Sequence, residues 1–216
     1  MAQTRYLFST PLLTDTLNSA EGLRVLREAV LAEKARDTKG IAVSNIGGWH
    51  SNTAMLDWGG EAARALAYKA MTMADEATAN VGRDRGHEYG WLPEMWANVS
   101  GRGNANQYHT HPGSFWSAVA YIDDGYEGAD DAQLGGELQL LDPRMPMVRM
   151  TAPDLRLKGS DGSAQVNEPM IRPNTGLIVM FPSWLQHAVR PFAGSGTRIS
   201  VAINLVPVRK AQDRQA

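Results

Sequence analysis

The spacing of three of the chain's five histidines suggests a chemical role for them. His109 and His111 stand two residues apart in QYHTHPGSF, and on a β-strand such residues share one face, so both imidazoles can reach one metal ion. His187 follows the apolar run GLIVMF and a turn containing proline, and it offers a third imidazole from another strand. Neutral imidazoles from two strands leave open coordination positions, as catalytic metal sites do. We therefore predict that His109, His111 and His187 bind one metal ion, and that His50 and His87 are not ligands.

The segment TRISVAINL, near the end of the chain, has two chemically different faces. One face is apolar, and the other carries Arg198, Ser200 and Asn204. If the apolar face packs on helices, the polar face lines the interior of a barrel, where a buried arginine needs an anion. Because a guanidinium binds a carboxylate through two parallel hydrogen bonds, Arg198 suits a dicarboxylate cofactor. We place His187 and Arg198 on neighbouring strands joined by RPFAGSG, so that both face one cavity.

The predicted elements that position these residues are helices in the first part of the chain and strands in the second. Helical spacing of apolar residues predicts two helices, within residues 19–40 and 59–82, with a short strand and a Gly-Gly turn between them. From Tyr89 onward, short strands separated by Gly, Pro, Asn and Asp predict a β-sandwich or a closed jelly roll. With 216 residues, at roughly 150 per domain, we expect a single domain with a helical region at 1–85 and a β core at 86–208.

Composition excludes several classes of protein. The 21 basic and 23 acidic residues give a net charge of −2, which disfavours nucleic acid as a general partner. The absence of cysteine excludes disulfides, a thiol nucleophile and thiolate metal ligands. No apolar run reaches the roughly 20 residues that cross a bilayer, and the first residues lack a signal-peptide pattern. We expect a cytoplasmic protein without membrane contact.

The chain resembles the iron(II)- and 2-oxoglutarate-dependent oxygenases, and more narrowly a bacterial and phage group of them with an HxH first ligand pair. The resemblance runs from about residue 44 to 204. It rests on SNIGGWHS, QYHTHPGSFWSAVAYID, GGEL, LLDPR, FPSWLQHAVRPF and RISVAIN. It implies a mainly β fold with N-terminal helices: a double-stranded β-helix, that is, a cupin-like jelly roll, with helices packed on its outer face. It also implies iron(II) and 2-oxoglutarate as cofactors, and a dioxygenase reaction of the hydroxylase type that releases succinate and CO2.

The resemblance also implies roles for individual residues. His109 and His187 correspond to iron ligands, Arg198 to the residue that binds the distal carboxylate of 2-oxoglutarate, and Ser200 to its neighbour. Asn98 lies eleven residues before His109, a separation at which alkylation-repair oxygenases carry an asparagine that contacts the cofactor.

The chain departs from the superfamily pattern at one ligand, because it has His111 where most members have Asp or Glu. Three neutral histidines are an acceptable facial set for iron(II), since bidentate 2-oxoglutarate brings two negative charges. A different metal, or an oxygen ligand from Glu137 or Asp124, remains an open alternative.

Two other functions are compatible with the sequence. One is a cupin-like metalloenzyme that does not use 2-oxoglutarate, because Gly176, Pro182 and His187 match the spacing of the second cupin motif. The other is a non-catalytic jelly-roll module that binds metal. The substrate, a small molecule or a peptide, is not defined by the sequence, and a homodimer is compatible with it.

Residues 142–174 form a long segment rich in Pro, Gly and Asp between two predicted strands. A connection of this length is often a lid or a binding loop. We expect it to gate the cavity, and the alternative is that it packs on the barrel or on a second subunit.

Overall fold

The computed structural model describes residues 3–149, 152 and 154–210. The helices are α1 (Ala20–Arg36), α2 (Met55–Trp58) and α3 (Gly60–Ala77). The strands are β1 (Leu13–Thr16), β2 (Asn45–Ile46), β3 (Trp49–His50), β4 (Tyr89–Ser100), β5 (Ala105–His109), β6 (Trp116–Asp123), β7 (Leu138–Leu140), β8 (Met170–Ile171), β9 (Leu177–Pro182), β10 (His187–Val189) and β11 (Arg198–Arg209).

The strands form two antiparallel sheets. The larger has the order β1-β9-β6-β11-β4-β3, and the smaller has the order β2-β5-β10-β7-β8. Tyr121, Val179 and Phe181 of the larger sheet pack with Leu138 and Leu140 of the smaller one in a core between the sheets. This jelly roll, the double-stranded β-helix, confirms the predicted fold class.

Strand β11 lies inside the larger sheet, between β6 and β4, and its side chains alternate between the two faces of that sheet. It pairs along its whole length with β4 and over seven positions with β6. Its alternate apolar residues pack with α1 and α3 in the larger hydrophobic core; they are Ile199, Val201, Ile203 and Leu205. Its polar residues Arg198, Ser200 and Asn204 line a cavity on the opposite face. The predicted division of this strand into a helix-facing side and an interior side is confirmed.

The N-terminal region supplies both helices and sheet edges. Helix α1 begins after Ser19, whose hydroxyl accepts a hydrogen bond from the backbone N–H of Gly22 at 2.9 Å and caps the first turn. The short strands β1, β2 and β3 pair with β9, β5 and β4. The domain boundary at residue 85 stays a prediction, although these three strands extend the sheets formed by the later residues. None of the helices in the described part of the chain has the length and hydrophobicity needed to cross a bilayer.

Candidate metal and cofactor site

The three predicted histidines lie together at one end of the smaller sheet. His109 is the last residue of β5 and His187 the first of β10, and the two are paired across the sheet. His111 lies beyond the end of β5, in a turn where its backbone N–H donates to the carbonyl of Ser183 at 3.0 Å. The expectation that both members of the HxH pair lie on a strand is therefore wrong for His111. Even so, one side-chain nitrogen from each of the three rings lies within 4.8 Å of the others.

Backbone carbonyls orient two of these rings. The Nδ1 atom of His109 lies 2.7 Å from the carbonyl of Gln107, and that of His187 lies 2.9 Å from the carbonyl of Leu185. A carbonyl only accepts, so Nδ1 carries the proton in both rings and the lone pair is on Nε2. Metal-binding histidines commonly donate their other N–H in this way.

The site favours neutral imidazoles. Burial, together with the neighbouring His109, lowers the pKa of His187 to about 3 and that of His111 to about 4. Burial also lowers the pKa of His109. Because neutral histidine is the form that ligates metal, three such nitrogens fit a divalent transition metal such as iron(II).

Neither carboxylate considered from the sequence joins the cluster. Glu137 is not among the residues that line the cavity, and its Oε2 lies 3.7 Å from Nη1 of Arg190. Asp124 accepts hydrogen bonds from the backbone N–H and the hydroxyl of Thr175. Among the residues that the structure describes, the metal-binding cluster is composed of histidine alone.

Arg198 lies inside the jelly roll with 2% of its surface exposed. It belongs to the larger sheet and His187 to the smaller, so the expectation of neighbouring strands is wrong, although both residues line the same cavity. Its Nε has no hydrogen-bond partner in the described part of the chain, and Nη1 lies 3.5 Å from the hydroxyl of Ser200. No carboxylate of the described residues lies within 4 Å of this guanidinium. A buried cation without a counter-ion favours an anionic ligand.

Tyr121 is a site residue that the sequence analysis missed. It is fully buried on β6, and the guanidinium of Arg198 lies 5.2 Å from its ring centre. Burial raises the pKa of Tyr121 although the charge of Arg198 and a hydrogen bond with it act in the opposite direction, so the hydroxyl stays protonated and can donate. Its inward position in FWSAVAYID follows from strand alternation, but that pattern does not distinguish a cavity residue from a core residue.

A glycine makes room for the arginine. At Gly136, where φ is +78°, a Cβ atom would lie 3.4 Å from Cδ of Arg198 and 3.1 Å from the ring of Phe192. The backbone conformation and the close contact both favour glycine here. The GGEL segment thus contributes space to the site.

The histidines and Arg198 line one cavity of about 380 Å³. Asn98 and Ser200, which are paired across β4 and β11, lie on its wall. His50, expected in a turn, is buried on β3 and also lines the cavity. Its ring stacks on Trp96 at 5.6 Å, but it does not belong to the metal-binding cluster. The cavity thus contains three potential metal ligands together with an arginine that has no counter-ion among the described residues.

Comparison with solved structures shows the same fold. A prolyl-4-hydroxylase of Pseudomonas putida is 19% identical, with 95% of this chain and 96% of that chain covered and a TM-score of 0.60. A prolyl hydroxylase of Trichoplax adhaerens, in complex with a peptide fragment of hypoxia inducible factor, is 13% identical, with 90% and 83% covered and a TM-score of 0.63. HygX of Streptomyces hygroscopicus, with nickel and 2-oxoglutarate bound, is 12% identical, with 95% and 87% covered and a TM-score of 0.56.

A comparison of sequences gives the family. No curated protein matches the chain. The family model described as "Putative 2OG-Fe(II) oxygenase" matches residues 94–204, slightly more than half of the chain, and includes the three histidines and Arg198. The chain therefore belongs to the 2OG-Fe(II) oxygenases, which are oxidoreductases that use iron(II) and 2-oxoglutarate.

Proposed function

We propose that His109, His111 and His187 hold iron(II), and that Arg198 binds 2-oxoglutarate for the hydroxylation of a substrate at the same cavity. The observation that carries this proposal is the buried Arg198, which lacks a carboxylate partner in the described chain and faces the cavity of the three histidines. A dicarboxylate can bind the metal through one end and the guanidinium of Arg198 through the other. A metalloenzyme without 2-oxoglutarate would need an anionic substrate to pair with this charge.

The protein's own residues have separate tasks. When bound, iron(II) and 2-oxoglutarate would supply the oxidising chemistry with dioxygen as the oxidant: one oxygen atom enters the succinate formed as 2-oxoglutarate loses CO2, and the other enters the hydroxylated substrate. The histidines present neutral nitrogen ligands, and backbone carbonyls hold two of them in place. Arg198 and Tyr121 would donate to the distal carboxylate, and Ser200 and Asn98 line the same cavity. The buried side chains of Phe181 and Leu138 exclude water from this end of the cavity.

A peptide or a small molecule is the proposed substrate class. The structure of one fold relative contains a peptide fragment, and the cavity wall here offers hydrogen-bonding groups from Asn106, Gln107 and Thr53. Such groups can bind a backbone amide or a hydroxylated small molecule equally well. Incubating the protein with iron(II), ascorbate, 2-oxoglutarate and a substrate library, and measuring succinate, tests for substrates that stimulate turnover. If no succinate forms under any condition, the proposed function is contradicted.

Tyr121→Phe is expected to weaken the binding of 2-oxoglutarate by roughly 10- to 150-fold, because a hydrogen bond to a charged group contributes about 1.5–3 kcal/mol. Calorimetric titration of the metal-loaded protein measures the change. Tyr126→Phe is the matched control, since the Tyr126 hydroxyl is also buried but donates to the carbonyl of Gly135, outside the cavity. If the wild type and Tyr121→Phe bind 2-oxoglutarate with equal affinity, the Tyr121 hydroxyl does not contact it.

The gating role of residues 142–174 stays a prediction, and the structure gives it little support. Met150, one of the apolar residues expected to cover the site, lies outside the described residues. None of the described residues of this segment lines the histidine cavity. Several, such as Asp142, Leu157 and Val166, line a second groove together with residues 4–12.

We expect that replacing residues 145–166 with a short Gly-Ser turn changes the affinities for metal and 2-oxoglutarate by no more than about twofold, because distant sites act independently. Calorimetry measures both affinities, and circular dichroism checks the fold. Loss of either affinity in a folded variant would assign the segment a direct part in the site. Uncoupled succinate formation, once a substrate is known, would support gating.

A further inference from the structure

Glu94 is the only carboxylate among the described residues that line the histidine cavity. It lies on β4, where alternate residues, Glu94, Trp96 and Asn98, line the cavity. Glu94 is exposed, and its side chain forms no ion pair or hydrogen bond with any described residue. Arg198, the cation of the same cavity, has a proposed partner in 2-oxoglutarate, whereas the charge of Glu94 has none.

The pairing of β4 with β11 shows how far Glu94 lies from the anion site. Arg198 is paired with Ser100, and Asn204 is paired with Glu94. Arg198 and Asn204 are six residues apart along β11, which corresponds to roughly 20 Å at about 3.3 Å per residue. Because 2-oxoglutarate is a short dicarboxylate, a molecule bound to Arg198 leaves the Glu94 end of the cavity free for a substrate.

Two contacts show that the histidine cluster is near this free end. The side chain of Asn204, the residue paired with Glu94, lies 3.4 Å from the ring of His111. The ring centre of Trp96, two residues from Glu94 on the same face of β4, lies 5.6 Å from that of His111. A substrate that contacts Glu94 is therefore close to the histidines at which its oxidation is proposed.

The opening of the cavity also has an apolar side. Ile41, Val43 and Tyr108 line the cavity and are exposed, whereas Tyr121 at its inner end is fully buried. Ile41 and Val43 precede β2 and Tyr108 is on β5, so these side chains belong to the smaller sheet, while Glu94 belongs to the larger one. A molecule with an apolar chain and a cationic end complements both sides of the opening.

We propose that Glu94 is a specificity-determining residue that selects substrates with an amine or guanidinium group carried on an apolar chain. The proposal rests on the proposed function, because it concerns the substrate of the same cavity. A carboxylate at the opening also disfavours anionic substrates, since like charges repel each other. The cation can belong to a side chain of a peptide or to a free amine, and the two sources share this chemistry.

Hexylamine, hexanol and hexanoate have the same apolar chain and differ in charge, so their binding to the full chain loaded with zinc(II) and 2-oxoglutarate tests the proposal. Ligand-observed NMR titrations at low ionic strength measure the three dissociation constants. We expect hexylamine to bind about three- to fivefold more tightly than hexanol, as for a partly exposed ion pair, and hexanoate to bind most weakly. Equal binding of hexylamine and hexanol, or a preference for hexanoate, would overturn the proposal.

A peptide probe distinguishes the two sources of the cation. The tripeptide acetyl-Gly-Lys-Gly-amide carries an amine on a chain similar to that of hexylamine. Tighter binding of the tripeptide would assign the cation to a peptide side chain, and tighter binding of hexylamine would assign it to a free amine.

Variants show whether Glu94 causes the preference. Glu94→Gln removes the charge and keeps the shape, so we expect it to abolish the preference for hexylamine over hexanol. Glu94→Lys should reverse the preference in favour of hexanoate. Glu76→Gln is the matched control and should keep the wild-type preference, because Glu76 is also exposed but lies on α3 and does not line the cavity. A preference for hexylamine that survives in Glu94→Gln would contradict the proposal.

Calorimetric titrations of zinc(II) and 2-oxoglutarate separate this proposal from the proposed function. We expect Glu94→Gln to keep both affinities within about twofold, since Glu94 does not belong to the histidine cluster and lies far from Arg198 along the strands. A large loss of zinc(II) affinity in this variant would assign the carboxylate to the metal and overturn the proposal. If the wild type does not bind 2-oxoglutarate, the proposed function is contradicted, while the three probes still measure the charge preference of the cavity.

Discussion

Arg198→Ala is expected to weaken the binding of 2-oxoglutarate to the metal-loaded protein by about 30- to 1000-fold. Removing one partner of a buried, charge-assisted contact costs on the order of 2–4 kcal/mol. The effect should be at the high end because the guanidinium is buried, so water does not screen its contact with the ligand. Arg198→Lys should be intermediate, since lysine keeps the charge but cannot donate two parallel hydrogen bonds. Calorimetric titration measures all three affinities.

The control for this experiment is Arg209→Ala. Arg209 lies on the same strand, but its side chain is exposed and does not line the cavity. Arg209→Ala should leave the affinity for 2-oxoglutarate unchanged. Metal content should be the same in all the arginine variants, because a guanidinium is not a ligand. If Arg198→Ala binds 2-oxoglutarate as tightly as the wild type, the anion site lies elsewhere.

His187→Ala is expected to lower the affinity for iron(II) by at least about 100-fold. Losing even a partner of a metal ligand typically costs 10- to 100-fold, and removal of a ligand should cost more. His187 is the most buried of the three histidines, with 3% of its surface exposed, so water cannot easily take its place. Anaerobic competition with a chromophoric chelator measures the affinity.

His50→Ala is the matched control for His187→Ala. Both residues are buried and line the cavity, but only His187 belongs to the cluster of converging nitrogens. We expect His50→Ala to keep the iron(II) affinity, although the loss of stacking on Trp96 can lower stability. Retention of iron by His187→Ala together with its loss in His50→Ala would reverse the assignment of ligands.

Local patterns were sufficient to predict the elements that carry the site. Strand alternation in TRISVAINL predicted which residues of β11 face the helices and which face the cavity. Once the apolar side chains pack on the helices, the alternate side chains must lie on the opposite face of the sheet, inside the jelly roll. The same periodicity gave helices α1 and α3 within a few residues of their observed ends. Spacing and residue type were sufficient to predict that His109, His111 and His187 form one cluster.

Features that depend on distant contacts were not predictable. The pairing of β10 with β5 and β7 places His187 and Arg198 in different sheets, and no local pattern encodes that choice. Tyr121 follows the same strand pattern as a core tyrosine, and only the coordinates place the buried Arg198 beside it. The contact between Asn204 and His111 joins residues 93 positions apart, so only the coordinates show it.

Anaerobic native mass spectrometry of the protein with iron(II) and 2-oxoglutarate tests the central claim most directly. Wild-type chains should carry one iron and one 2-oxoglutarate each. Arg198→Ala should keep the iron and lose the 2-oxoglutarate, while His187→Ala should lose both. Two results would contradict a site in which three histidines and Arg198 hold the two cofactors together. One is metal-free protein that carries as much 2-oxoglutarate as the iron-loaded wild type, and the other is His187→Ala protein that keeps its iron.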